Sequence, residues 1–391
     1  MKLATFLIAL CFVIQKANTQ KIEKNNDTGN MSFELIKEKI IIPVQIGNKT
    51  FRFLVDTGGI FEISEDVQNQ FNFNQTKSTT IIDINRKEIE IKSVTVPEIK
   101  LGNWSFKNRK AIVSDLHSKY PYSCFELDGM IGRDFFNKVI LHFNYATKTF
   151  RLKENEQVID VNKNNRAKMK LSHRGLPNIQ LRLNGKKEYI EFDSGSGDFY
   201  GPKTNDVEKR INKLNPNETL KFKGEFSFGV SMDDIKISNR YKEKVRSLQL
   251  GSTTFNNFYS QFSKISAPRI GARILKHGSV TLDYKNGWFY FKPFKQSQKI
   301  DSFKTFGFDV AIQNGYYKIK WVLENSDANR LGMRSGDKVL SIDGVSTNNI
   351  NEDCFGYLNG YSFKNKQKIT VVFLNNQNIE KSIELVNKIY K

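Results

Sequence analysis

Two loops of the same build constrain this chain more than anything else in it. Phe53-Leu-Val-Asp-Thr-Gly-Gly-Ile60 runs a short apolar strand into an acid, a hydroxyl residue and two glycines, and Tyr189-Ile-Glu-Phe-Asp-Ser-Gly-Ser-Gly197 repeats that order around Asp193. Each apolar run needs β-partners, and its glycines let the backbone turn sharply beside the carboxylate. The hydroxyl of Thr57 or Ser194 can anchor the turn. The pair of loops supplies two carboxylates, Asp56 and Asp193. Two acids a few ångströms apart cannot both ionise, so one keeps a proton while the other acts as base, and water can be activated without a metal.

The repetition extends past the loops. Gly129-Met-Ile-Gly-Arg-Asp-Phe-Phe136 and Arg269-Ile-Gly-Ala-Arg-Ile-Leu275 each place apolar residues before a glycine, Gly132 or Gly271. Similar strand-turn-strand segments follow, Val139 to Leu152 and Ser279 to Phe291, and Leu101-Gly-Asn-Trp-Ser-Phe106 is echoed by Leu250-Gly-Ser-Thr-Thr-Phe255. The chain therefore reads as an internal repeat. Over residues 35 to 297 it resembles the aspartic proteases, of the bacterial retropepsin-like or pepsin-like kind. That resemblance implies a mainly β, bilobal fold with one site at the lobe interface, where Asp56 and Asp193 are the catalytic pair. Thr57, Gly58, Ser194, Gly195, Ser196, Gly132 and Gly271 would support them. The first loop has Gly59 where Ser or Ala is commoner, and the second has Ser194 where Thr is commoner. Ser196 is expected to donate its hydroxyl to the outer oxygen of Asp193, which would leave the shared proton mainly on Asp56.

The N-terminus has Lys2, an apolar run from Leu3 to Ile14 and then Ala17-Asn-Thr19. This reads as a secretory signal peptide over residues 1–19, since the run falls short of the roughly 20 residues a bilayer span needs. The protein is thus expected to be exported, to the periplasm or outside the cell. Lys39 to Ile46 and Thr50 to Val55, joined by Gly47-Asn48, form a hairpin that delivers Asp56. A second hairpin, Thr79 to Lys92 with Asn85-Arg86 at its tip, stands where the family carries a mobile flap. The polar stretch from 153 to 167 reads as a linker, and a short helix is expected at Val207 to Leu214. The expected domains are a first protease lobe at 33–160, a second at 161–297 and a third unit at 298–391.

The formal net charge of +20 comes from lysines spread along the whole length, which reads as solvated surface, and no groove-reading motif points to nucleic acid. The four histidines, at 117, 142, 173 and 277, lack ligand spacing, so no metal and no cofactor are expected. Cys124 and Cys354 lie in separate units, and a disulfide between them is not expected.

After Pro293 the composition shifts. Lys318 to Gly344, with Ser326-Asp-Ala328, Leu331-Gly332, Gly336-Asp337 and Asp343-Gly344, resembles a PDZ domain. The resemblance implies a unit that adds a peptide strand to its sheet and holds a C-terminal carboxylate in backbone amides. Phe306-Gly307-Phe308 occupies the position of that carboxylate-binding loop, and the helix closing the groove would fall around Asn351 to Leu358. The functional expectation is a monomeric, exported aspartic endopeptidase acting on peptide or protein substrates, with the third unit binding peptide termini. The alternative is a non-catalytic peptide-binding scaffold on the same fold.

Overall fold

The computed structural model describes residues 22–23, 29–82, 88–115, 118–120, 122–154, 162–202, 210–226, 236–263, 268–295, 300, 303–348 and 354–390. The expected signal peptide, the tip of the expected flap, residues 155–161 of the expected linker and the first part of the Val207–Leu214 helix lie outside the described residues. The protein is mainly β. No helix among the described residues is long and apolar enough to cross a membrane.

Strand formation follows apolar alternation, with turn residues between the runs. In the first half, β1 (Lys39–Ile46) and β2 (Lys49–Asp56) form the expected hairpin, turning at Gly47, whose φ is +59°. β3 (Gln75–Ile82) and β4 (Glu88–Leu101) form the hairpin expected as the flap, and β4 turns at Gly102 into β5 (Trp104–Ser114). The short strand β6 (Gly129–Gly132) lies parallel to β2, with Gly132 beside Asp56. Ser64 caps the helix α1 (Glu65–Phe71) by accepting from the Val67 amide at 3.2 Å.

The second half repeats this order. β7 (Pro177–Leu183) and β8 (Lys186–Asp193) form the hairpin that delivers Asp193. β9 (Thr219–Phe226) pairs with β10 (Lys236–Leu250), which turns into β11 (Thr253–Ser263). β12 (Arg269–Gly271) lies parallel to β8, with Gly271 beside Asp193. Strands Ile140–Asn144 and Thr149–Lys153 from one half join Gly278–Asp283 and Trp288–Pro293 from the other in one antiparallel arrangement, through the pairing of Leu141 with Leu282. One continuous apolar core, from Met31 to Phe291, runs through both halves and holds the two Asp loops in a fixed relation.

Residues from Phe306 to Leu385 build a second core. Around it lie β13 (Phe308–Gln313), β14 (Tyr316–Leu323), β15 (Lys338–Ile342), β16 (Lys368–Leu374) and β17 (Glu380–Val386), with helices α2 (Asp327–Arg330) and α3 (Cys354–Asn359). This unit is fastened to the rest at two places. On the second half, β9 pairs antiparallel with β14, Phe222 opposite Leu323 and Gly224 opposite Trp321. Lys318 meets Glu225 at 2.6 Å and Lys221 meets Glu324 at 2.7 Å on either side of that seam. On the first half, Cys124 and Cys354 form a disulfide, with their Cα atoms 5.0 Å apart. This corrects the expectation from sequence. The cysteines are 230 residues apart along the chain, but the C-terminal unit folds back on the first half and brings them within bridging distance.

Candidate active site

Both aspartates stand at the C-terminal ends of strands whose neighbours are the short parallel strands β6 and β12. The tight fit behind each loop explains the two glycines there. A side chain at Gly132 would start 2.3 Å from the Ile60 Cα, and one at Gly271 would start 2.3 Å from the Asp198 carbonyl oxygen. Ala272 donates its amide to the Ser196 carbonyl at 2.8 Å, and Arg133 donates its amide to the Gly59 carbonyl at 3.1 Å, so each loop is pinned from beneath in the same way.

Thr57 and Ser194 lock the two loops to each other. The Thr57 amide donates to Ser194 Oγ at 2.9 Å and the Ser194 amide donates to Thr57 Oγ1 at 3.0 Å. Each hydroxyl then donates across the interface, Thr57 to the Phe192 carbonyl and Ser194 to the Val55 carbonyl, both at 2.8 Å. Both side chains are buried, so these four bonds are shielded from competing water. A Ser in place of the commoner Thr keeps every bond, because only the hydroxyl is used.

The carboxylates are held alike at their inner oxygens. Gly58 and Gly59 amides donate to Asp56 Oδ1 at 2.8 and 3.0 Å, and Gly195 and Ser196 amides donate to Asp193 Oδ1 at 3.0 and 3.1 Å. Each carboxyl also lies against the opposite loop. A side chain on Gly195 would start 2.2 Å from Asp56 Oδ2, and one on Gly58 would start 3.1 Å from Asp193 Oδ1. Burial together with the charge of Asp193 pushes Asp56 up to about 7, against the pull of the Gly58 amide and of Lys39. Asp56 is therefore the member that keeps the proton in mildly acidic solution.

The outer oxygens differ. Arg269 Nη1 sits 2.5 Å from Asp193 Oδ2 and balances its charge. Ser196 does not play the part expected of it: its Oγ accepts from the Asp198 amide at 3.3 Å and does not reach the carboxylate. A guanidinium two residues before Gly271 occupies the position expected for the hydroxyl.

Three further groups were not singled out from sequence. Lys39 Nζ donates to the Gly195 carbonyl, crossing from the first half to the second loop. Arg133 Nη1 donates to both the Gly58 and Gly59 carbonyls at 2.8 Å, which fixes the first loop from its own half. Glu191 is a third acid beside Asp193, pushed up to about 7 by burial and by the Asp193 charge. Strand alternation could have found Glu191 and Arg269, since each lies two residues before a motif residue and hence on the same face. Phe306, Gly307 and Phe308 lie in the C-terminal unit; Gly307 has φ +93° and donates its amide to Thr305 Oγ1 at 3.0 Å, and both phenylalanines are buried.

Among the described residues no group of three His, Cys, Asp or Glu is placed to hold a metal ion. His142 is half-buried, bonded through Nδ1 to Thr281 Oγ1 at 2.8 Å and pushed down to about 4 by burial, so its ring is held within the sheet.

No curated protein matches the chain. Residues 42–135, which hold the first Asp loop, the β3–β4 hairpin and the Gly129–Gly132 strand, match a family model described as aspartyl protease.

Proposed function

We propose that the chain is an exported aspartic endopeptidase of bilobal, pepsin-like build, with Asp56 and Asp193 as a catalytic pair and a C-terminal PDZ domain. The observation that carries the reading is the reciprocal set of bonds between Thr57 and Ser194. It joins loops from opposite halves and leaves one carboxyl of each facing the other. The family match at residues 42–135 supports the first half of the site. The Cys124–Cys354 disulfide supports an oxidising compartment, as an exported protein would meet.

The steps follow from the positions of the protons. Ionised Asp193 takes a proton from the attacking water as its oxygen bonds to the peptide carbonyl carbon, while protonated Asp56 gives its proton to the carbonyl oxygen. The tetrahedral species then collapses. Asp193 returns the proton to the leaving nitrogen, the C–N bond breaks, and a hydroxyl proton of the intermediate goes back to Asp56. Arg269 stabilises Asp193 as the charged partner at the start, and the loop amides hold both carboxyls in place. The β3–β4 hairpin acts as the flap that orders the peptide. The C-terminal unit lays a peptide along β13 beside the Phe306–Phe308 loop, and that contact recruits substrate.

The test is hydrolysis of a denatured protein by the mature chain from pH 4 to 8, beside Asp56→Asn and Asp193→Asn. Cleavage by the parent and its loss in both variants is expected. A parent without activity at any pH would leave the scaffold reading, and full activity in Asp193→Asn would replace the two-lobe site with one built from two copies of Asp56.

A further inference from the structure

Side chains along a strand alternate between faces, so the residue two before each aspartate shares its face. These are Leu54 in β2 and Glu191 in β8. Parallel pairing sets Met130 beside Leu54 and Arg269 beside Glu191, so each half of the cleft presents one such pair next to its catalytic carboxyl. In the first half the pair is apolar and belongs to a cluster with Ile41, Phe125 and Leu127. In the second half it is ionic.

The two charges in that pair are not equally occupied. Arg269 is committed to Asp193. Glu191 is half-buried beside the dyad, its Oε1 3.0 Å from where a side chain on Gly58 would start; Arg269 and Arg133 draw on its charge, but burial and the Asp193 charge outweigh them. Carboxylates left unpaired beside other acids are costly, and a cation that reaches them relieves the cost. An apolar substrate side chain in this half would bury Glu191 further without a partner, and an acidic one would meet both Glu191 and Asp193.

We propose that Glu191 is the specificity-determining residue of the second half of the cleft, accepting the ammonium or guanidinium of a Lys or Arg side chain that flanks the scissile bond. The proposal rests on the endopeptidase reading. It gives the two flanking positions different chemistry: a basic side chain against Glu191 on one side, and an apolar one against Met130, which rests on buried Leu54, on the other.

The test maps the cleavage sites of the full-length mature chain in a denatured protein at pH 7.5. It then compares kcat/KM on peptide pairs with Lys or Met at the flanking position, for the parent, Glu191→Gln and Glu191→Lys. Lys or Arg should be enriched at one flanking position only, with a Lys over Met ratio of about 10 to 100, the range of a hydrogen bond to a charged group. The ratio should fall towards one in Glu191→Gln and below one in Glu191→Lys. Because it is taken within each variant, loss of folded enzyme cancels, and the site map needs the parent alone. Cleavage by the parent without basic enrichment overturns the inference and leaves the endopeptidase standing. Enrichment with an unchanged ratio in Glu191→Gln overturns the role of Glu191. No cleavage by the parent at any pH from 4 to 8 overturns both.

Discussion

The two halves of the site are alike in backbone and unlike in the side chains beside it. Loop amides bind the inner carboxylate oxygens at matching distances in both, and the hydroxyls of Thr57 and Ser194 exchange the same bonds in both directions. Two positions away the resemblance ends: Leu54 and Met130 stand in one half where Glu191 and Arg269 stand in the other. The chemistry of a shared proton needs two carboxyls at fixed separation, which only the backbone frame can enforce. The proposed mechanism also needs the two acids to be unequal, and it assigns that inequality to the flanking side chains.

The largest expected effect removes the pair itself. Asp56→Asn and Asp193→Asn should each lower kcat/KM by about 10³-fold or more, in line with the contribution of a positioned acid or base. Circular dichroism and Tm should show both variants folded. Equal losses would mark one site built by two halves; a loss confined to one variant would break the comparison at its root.

Next comes the side chain that separates the halves. Arg269→Met removes the charge held 2.5 Å from Asp193 and should lower kcat/KM by about 10- to 100-fold, the scale of a charge-assisted hydrogen bond. Met130→Leu, at the matching position of the first half, should stay within about threefold, since it keeps apolar volume. Arg269→Lys should recover part of the loss. If the two positions behave alike, the ionic half confers no inequality.

How far this was legible from residues alone divides along the same line. The Asp loops, the backing glycines and the hairpins that deliver them could be read because they are local patterns with fixed spacing, and the match between the halves multiplied the signal. The Arg269 contact was half visible: the motif Arg269-Ile-Gly271 was in hand, and period-two alternation puts Arg269 on the face of Asp193. The preference for a hydroxyl donor at Ser196 hid it. The Cys124–Cys354 bridge and the reach of Lys39 to Gly195 could not be read, because they depend on how separate units pack rather than on any spacing along the chain.

The shared proton also has a pH signature. Asp56 is raised to about 7 by burial and by its neighbour's charge, so its protonated form prevails below that pH. kcat/KM should therefore fall along an alkaline limb near pH 7. Stability carries the same sign. The contribution of a group whose folded pKa is raised is fully present below its ordinary value and is lost as pH rises through the folded one. Glu191, also raised to about 7, adds in the same direction. The parent Tm should drop by several °C between pH 5 and 8, on a scale of roughly 2–4 °C per kcal/mol for a large domain. Asp56→Asn, neutral throughout, should drop less. A parent Tm that rises over this range would count against a shared proton in the pair.

The smallest expected effect tests whether Ser196 contributes to the inequality at all. It stands three residues after Asp193, and the matching position in the first half is Gly59, which has no hydroxyl. A serine donating to Asp193 would hold it charged, and its removal would move the acidic limb of kcat/KM upward by about one pH unit, from a bond of roughly 1.5 kcal/mol. The geometry assigns that oxygen elsewhere. Asp193 Oδ1 takes the amides of Gly195 and Ser196, Oδ2 takes Arg269, and Ser196 Oγ accepts from the Asp198 amide at 3.3 Å. Ser196→Ala should then leave the acidic limb where it is and change kcat/KM by no more than about twofold, with a stability loss within about 1 kcal/mol for one long, exposed bond. An acidic limb that moves upward in Ser196→Ala but stays fixed in Arg269→Met would return the inequality of the halves to the hydroxyl and take it from the guanidinium.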